Sequence, residues 1–252
     1  MAARTYPERV IVLRKTRLRE ADLILTMLAE DGRQVRAVAK GALKPTGSFA
    51  SRLEIYSCAD VLLVEGRSLD IVKEAKLVNA HSTLRFDYNR SICAAPIAEL
   101  LALATQDELP VPRLFPMTQA ALSRIEASDD AALPLVMCAF LLKAASILGF
   151  RPSLAHCAEC GGERQRGEQW PFSFSSGGVV CPDCSAVYVS TRFDAPIVDW
   201  ADTLIHSTFE QVGSFNPGEQ TVSGIIAFTQ SWIQEHIGDL RSLSFCRTQL
   251  HL

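Results

Sequence analysis

Histidine is scarce in this chain: five among 252 residues, with no two at the spacing of a metal-binding or acid–base pair. A Gly-rich phosphate loop, a His-Glu-x-x-His helix, a Gly-x-Ser-x-Gly nucleophile turn and a Rossmann glycine pattern are all missing. The common phosphoryl-transfer, metallohydrolase, serine-hydrolase and dinucleotide chemistries therefore have no recognisable seat, and the expectation is a protein that is not an enzyme. Internal repeats and low-complexity tracts are absent too. The opening residues, Met1-Ala-Ala-Arg-Thr-Tyr-Pro-Glu8, hold no apolar run of the kind found in a secretory leader, so a cytoplasmic chain with reduced thiols is expected. The longest apolar run, 131–150, is interrupted by Pro134 and Lys143 and reads as a buried core helix, not a membrane span. Aromatic residues are few at 8 %, and residues 1–80 hold only Tyr6, Phe49 and Tyr56.

Cysteine is the exception. Of eight, four stand as Cys157-x-x-Cys160 and Cys181-x-x-Cys184, with twenty residues between the pairs. That is the spacing of a four-cysteine zinc site. Gly161-Gly162 follows the first pair, and Gly177-Gly178 turns the chain back before Cys181-Pro-Asp-Cys184. Disulfides are the competing use, but they do not suit a reducing compartment, and one Cys-x-x-Cys alone would be needed for a redox pair. Four thiolates leave zinc no open position, so one structural ion is expected, with His156 a neighbour and not a ligand. Such a site carries a formal charge of about −2. Backbone N–H groups and Arg151, Arg164, Arg166 and Arg192 are the candidates to offset it. Cys58, Cys93, Cys138 and Cys246 sit in apolar settings and read as small buried hydrophobes.

The net charge of −3 conceals an asymmetry: residues 1–80 carry fourteen Lys/Arg against ten Asp/Glu, and the rest eleven against eighteen. A basic first part is compatible with nucleic-acid binding and equally with an ordinary solvated surface. A β-branched run at 9–13, the stretch 22–28 and the polar/apolar alternation of 34–39 predict strands, with two more at 57–65 and 69–78, Asp31-Gly32 as a hairpin turn and a Gly/Pro-broken loop at 40–48. Five strands in so short a stretch, without room for a βαβ unit, predict a small closed barrel of the OB type. Helical periodicity then takes over at 91–106, 113–127 and 131–148, and after the cysteine segment at 199–212 and 219–237. An Asp within Ser128-Asp-Asp130 is placed to cap the third of these helices. The fold class expected is α+β: an OB barrel (1–80), then a helical domain (81–155 and 191–252) with an inserted zinc knuckle (156–190).

The order of these features, with particular residues, resembles the bacterial recombination-repair family RecO. The N-terminal matches are Val12-Leu13, Arg14, Glu20-Ala-Asp22, Leu28, Asp31-Gly32 and Val38-Ala-Lys40-Gly41-Ala42. Glu99-Leu-Leu101 follows in the middle, then Leu148-Gly-Phe150, a Phe-x-Phe at 172–174 and the Gly-Gly-x-x-Cys-x-x-Cys. The resemblance implies a DNA-repair mediator without catalytic residues. It would bind single- and double-stranded DNA and anneal complementary strands. With a RecR-like partner it would help load RecA, indirectly, onto DNA coated by single-strand-binding protein (SSB). It would act in the cytoplasm, at the nucleoid during repair, and the helical domain would receive the SSB tail.

Phosphate binding needs cations, and Arg14, Lys15, Arg17 and Arg19 cluster between the first two strands. Arg33, Arg36, Lys40, Lys44 and Arg52 extend the set through the third strand and its loop, beside the face that OB-folds commonly use. Lys143, Arg151, Arg241 and Arg247 are the candidates for an acidic SSB tail. With so few aromatics for base stacking (~1–3 kcal/mol per base), DNA binding is expected to be phosphate-dominated and steeply salt-dependent. Two competing readings are an enzyme with an accessory zinc ribbon and a protein-interaction adaptor whose barrel does not touch DNA.

Overall fold

A computed structural model describes residues 4–44, 49–187 and 191–250. Residues 45–48 of the expected loop, 188–190 of the expected knuckle and the first three residues lie outside this description. The chain divides into two compact units, 1–126 and 127–252.

The first unit contains β1 (Thr5–Arg17), β2 (Leu23–Ala29), β3 (Gln34–Ala39), β4 (Cys58–Val64) and β5 (Asp70–Asn79). They close in the order β1-β2-β3-β5-β4, with β1 antiparallel to both β2 and β4 and β3 parallel to β5. This is the OB-fold. Alternation drives it: in β3, Val35, Ala37 and Ala39 are buried in the barrel while Arg36 points to solvent. β1 extends well past the apolar run 9–13 because its polar ends still find ladders, Thr5 opposite Val64 and Arg17 opposite Leu23. Its register shifts between Val12 and Arg14, a bulge that turns Arg14 outward next to buried Leu13. Tyr6 and Phe49 pack against the barrel core and Tyr56 is buried.

The same unit holds α1 (Thr83–Phe86), α2 (Tyr88–Ala104) and nearly all of α3 (Leu114–Ala127). The Asp87 carboxylate caps α2 by accepting the Arg90 N–H. At its other end α2 is tied to the barrel, since the Gln34 amide donates to the Ala102 and Thr105 carbonyls at 3.0 Å each. Gly32, at φ +84° in the β2–β3 turn, lies so close to the Val111 carbonyl that a Cβ would meet it at 1.9 Å.

In the second unit α4 (Leu133–Ile147) is the central helix, packed by α5 (Ala195–His206), α6 (Phe209–Val212) and α7 (Glu219–His236), with α8 (Arg241–Gln249) on α7. The window 130–147 is long and apolar enough to cross a membrane, yet 72 % of it is buried inside the protein. Every residue from Leu133 to Leu142 is buried, which is the core-helix arrangement the sequence predicted. Two local expectations are corrected, and one helix is additional. Asp129 stands before a 3₁₀ turn without a side-chain cap bond, and α4 starts from Ala132 with Pro134 in its first turn. The expected helix 199–212 is two: Pro196 lets α5 start at Ala195, and a Thr208–Gln211 capping box begins α6 afresh. The polar helix α8 had no apolar periodicity to announce it.

The cysteine segment is rooted in this core by β6 (Phe172–Ser173) and β7 (Gly178–Val179). Phe172 is fully buried and meets Phe174, Phe193, Phe228 and Trp232 edge-on, with centroids 5.1–5.8 Å apart. Cys58, Cys93, Cys138 and Cys246 are all buried.

Candidate nucleic-acid interface and metal centre

Two Cys-x-x-Cys turns face each other in the second unit, and the four Sγ atoms lie within 4.8 Å of one another. Sγ of Cys160 and Cys181 are 3.8 Å apart. A tetrahedral ion with metal–sulfur bonds of about 2.3 Å has sulfurs roughly 3.8 Å apart, so the thiols fit one metal. Each turn is closed by its own backbone, Gly161 N–H to the Cys157 carbonyl at 2.9 Å and Cys184 N–H to that of Cys181 at 3.1 Å. The Cys181 N–H also donates to Cys157 Sγ at 3.3 Å. Burial raises the Cys157 thiol, but backbone N–H groups of Cys160, Cys181 and Glu159 outweigh this and bring it to about 6. Cys184, hydrogen-bonded to the sulfurs of Cys181 and Cys160, is pushed up to about 12. With all four positions filled by sulfur, a bound metal has no site for substrate, and His156 is not among the clustered ligands.

Three of the four arginines expected to offset the thiolate charge are engaged elsewhere. Arg164 is buried: Nη2 binds the Asp199 carboxylate, Nε the Leu154 carbonyl at 2.9 Å and Nη1 the Glu168 carbonyl at 2.8 Å. Asp199 also accepts the Gly167 N–H at 2.8 Å. Arg166 donates to Thr203, Arg151 meets His206 at 2.6 Å, and Arg192 is exposed. The observed N–H···S contacts come from the backbone, and Arg151, Arg164 and Arg166 reach α5.

On the barrel the nine candidate cations divide. Arg14 stands opposite Thr26, and Thr26 opposite Arg36, so the two guanidiniums belong to one cross-strand row over β1, β2 and β3. With Thr16, Ile24, Gln34 and Ala102 they line a groove of about 320 Å³. Arg17 ends β1 and Arg19 lies in the β1–β2 turn, with Lys40 and Lys44 in the chain leaving β3. Hydrogen bonds bring these two loops together: the Gly41 N–H donates to Asp22 Oδ1 at 2.8 Å and the Leu43 N–H to the Ala21 carbonyl at 2.9 Å. Arg14, Arg17, Arg19, Arg36, Lys40, Lys44 and Arg52 are exposed and form no ion pair among the described residues. Arg52 reaches back to the Ala75 carbonyl at 3.2 Å.

Lys15 and Arg33 stand differently. Lys15 pairs with Glu54 at 2.7 Å, and Arg33 with Glu8 at 2.6 Å, Asp31 at 3.1 Å and Asp107 at 3.5 Å. Those carboxylates compete with any phosphate. Periodicity does not reveal such pairs, because their partners are 25 to 74 residues away or across a turn. The groove's neutral members, Thr16, Thr26 and Gln34, were also missed. Only the ladder register places them beside the arginines. In the second unit Lys143 donates to the Ile205 carbonyl at 2.6 Å and lies over the Phe209 ring. It thus meets the same end of α5 as Arg151, whereas Arg241 and Arg247 lie on α8.

Fold and sites together define an OB-fold protein with a cationic barrel face and a second, helical unit bearing a closed four-cysteine cluster. Two family descriptions share the sequence: "Recombination protein O N terminal" matches residues 1–81 and "Recombination protein O C terminal" matches 85–244. The chain belongs to the RecO family. Among its relatives, DNA repair protein RecO of Desulfitobacterium hafniense is 38 % identical over 179 residues, 71 % of this chain and 64 % of that protein. DNA repair protein RecO of Frankia casuarinae is 41 % identical over 210 residues, 79 % of this chain and 85 % of that protein. The match thus spans a little under two thirds of the Desulfitobacterium protein's length.

Proposed function

We propose that this chain is a non-catalytic recombination mediator in DNA repair, and that its barrel binds single- and double-stranded DNA through the phosphates. The observation that carries this reading is the Arg14–Thr26–Arg36 row, continued by Arg17, Arg19, Lys40 and Lys44 at the rim, without carboxylate partners among the described residues. A backbone-reading face without base-edge donors at fixed spacing binds strands of any sequence, which suits a protein holding two strands while they find register. Family membership supports the remaining steps: annealing, action with a RecR-like partner, and loading of RecA onto SSB-coated single strands. Residues 1–80 are the DNA-binding part in this reading and 156–190 the knuckle. The segments 81–155 and 191–252 receive the SSB tail, with Lys143 and Arg151 better placed to act together than Arg241 and Arg247. Cys157, Cys160, Cys181 and Cys184 hold one zinc ion, whose contribution is a crosslink and not a reaction. The compartment implied is the cytoplasm.

Binding of a fluorescent single-stranded oligonucleotide across a salt series tests the reading. Wild type should show a steep slope of log K against log salt. Arg14→Gln with Arg36→Gln should flatten it by roughly two phosphate equivalents, with Lys15→Gln changing it less. A wild type that ignores DNA at low salt would leave the adaptor reading in its place.

A further inference from the structure

Every aromatic side chain of the barrel is committed to packing: Tyr6 and Phe49 lie against the core and Tyr56 is buried. Two leucines are not. Leu18 and Leu43 are each 44 % exposed, an unusual place for large apolar side chains in loops this cationic. Leu18 stands between Arg17 and Arg19 in the β1–β2 turn; Leu43 is flanked by Lys44 and follows Lys40 by three residues. The two loops are one structure. The Leu18 N–H donates to the Asp22 carbonyl at 3.0 Å, and the Leu43 N–H to the adjacent Ala21 carbonyl at 2.9 Å. Gly41, at φ +67°, turns its N–H onto the Asp22 carboxylate at 2.8 Å, a further bond between the two loops. Exposed Glu20 and half-buried Asp22 are the carboxylates of these loops, beside four exposed cations.

We propose that Leu18 and Leu43 are base-contacting residues: apolar seats on which unstacked nucleobases of a single strand rest while Arg17, Arg19, Lys40 and Lys44 hold its phosphates. The inference rests on the DNA-binding reading above and adds what that reading lacks, a reason to favour single strands. Phosphates are offered by duplex and single strand alike, so a purely cationic face distinguishes them weakly. Base faces are available only when the strand is unstacked, and aliphatic side chains between cations can cover them, as apolar wedges do at base steps in other complexes. The occupant is fixed by charge complementarity: a polyanion with apolar faces satisfies both halves of the rim.

The experiment compares Leu18→Ser/Leu43→Ser with wild type, using a single-stranded oligonucleotide that carries 2-aminopurine and a duplex of the same length. Both side chains are substantially exposed, so the variant should keep the wild-type circular dichroism and melting profile. Leu18→Met/Leu43→Met serves as the apolar control. The expected result is roughly tenfold weaker single-strand binding at fixed salt, since two leucines lose their base contacts. Duplex binding and the salt slope should be unchanged, the wild-type 2-aminopurine response should be lost, and the methionine variant should behave as wild type. Unaltered single-strand affinity and 2-aminopurine signal in the serine variant would overturn the proposal while leaving phosphate binding intact. Absence of any wild-type binding at low salt would instead remove the DNA-binding reading on which it rests.

Discussion

Tyr56 shows how much one side chain can carry in a small barrel. It is buried despite a backbone at φ +72°, a conformation that a residue other than glycine seldom adopts. Burial pushes its phenol up to about 12, with Arg85 opposing the rise. The unfolded chain releases this proton near pH 10, whereas the folded protein retains it until about 12. The stabilising contribution is therefore complete below pH 10 and is lost as the pH climbs toward 12, on the order of 2–3 kcal/mol. Tyr6, raised to about 12 by burial and by its bond to Asp70, works in the same direction. Tyr56→Phe keeps the ring and removes the proton, so its stability relative to wild type should improve between pH 9 and pH 11.5. Urea unfolding followed by circular dichroism at both values checks this, and parallel pH profiles for the two proteins would refute it. Nothing in the sequence marks Tyr56 as buried, because it falls between the strand runs and is enclosed only in the folded chain.

At the scale of elements, the joint between the cysteine segment and α5 has a clear energetic signature. Arg164 and Asp199 are both buried, and each also satisfies backbone groups of the segment. Arg164→Ala would strand the Asp199 carboxylate, a loss of about 3–5 kcal/mol for a broken buried pair. Metal content should stay at one ion per chain, since no ligand is touched. Urea titration with metal analysis reads both, and a loss below about 1 kcal/mol would mean that the pair does not secure the segment. By its place in the sequence Arg164 is one of four cations available to offset the sulfurs. Its long side chain instead runs to a helix 35 residues on, a choice set by where α5 packs. The barrel strands were more legible than this joint: β3 is just the alternating 34–39, whereas β1 outran its apolar run because cross-strand pairing, which is non-local, sustains polar residues in a ladder.

For the whole molecule, all three tryptophans, Trp170, Trp200 and Trp232, belong to the unit 127–252. Tryptophan emission therefore follows the cysteine-bearing unit alone. Removing the metal with a chelator should lower the unfolding midpoint read by tryptophan, because ion binding and local folding are coupled. The salt slope of DNA binding should persist, since the barrel contributes no ligand to the cluster. If chelation abolished DNA binding as well, the metal would be supporting more than its own unit. The sequence by itself determined what depends on local pattern: strand and helix periods, the two Cys-x-x-Cys turns, the core helix and the residues that mark the family. Cysteine ligands are legible because each turn is four residues long and metal geometry brings the pairs together. Only the tertiary structure decided which cations are free. Arg14 and Arg36 were joined by strand register, Lys15 and Arg33 were paired by carboxylates that folding brought alongside, and Leu18 met the loop of Leu43 through two backbone turns. Charge and exposure at a site depend on neighbours distant in sequence, and those neighbours exist only in the folded chain.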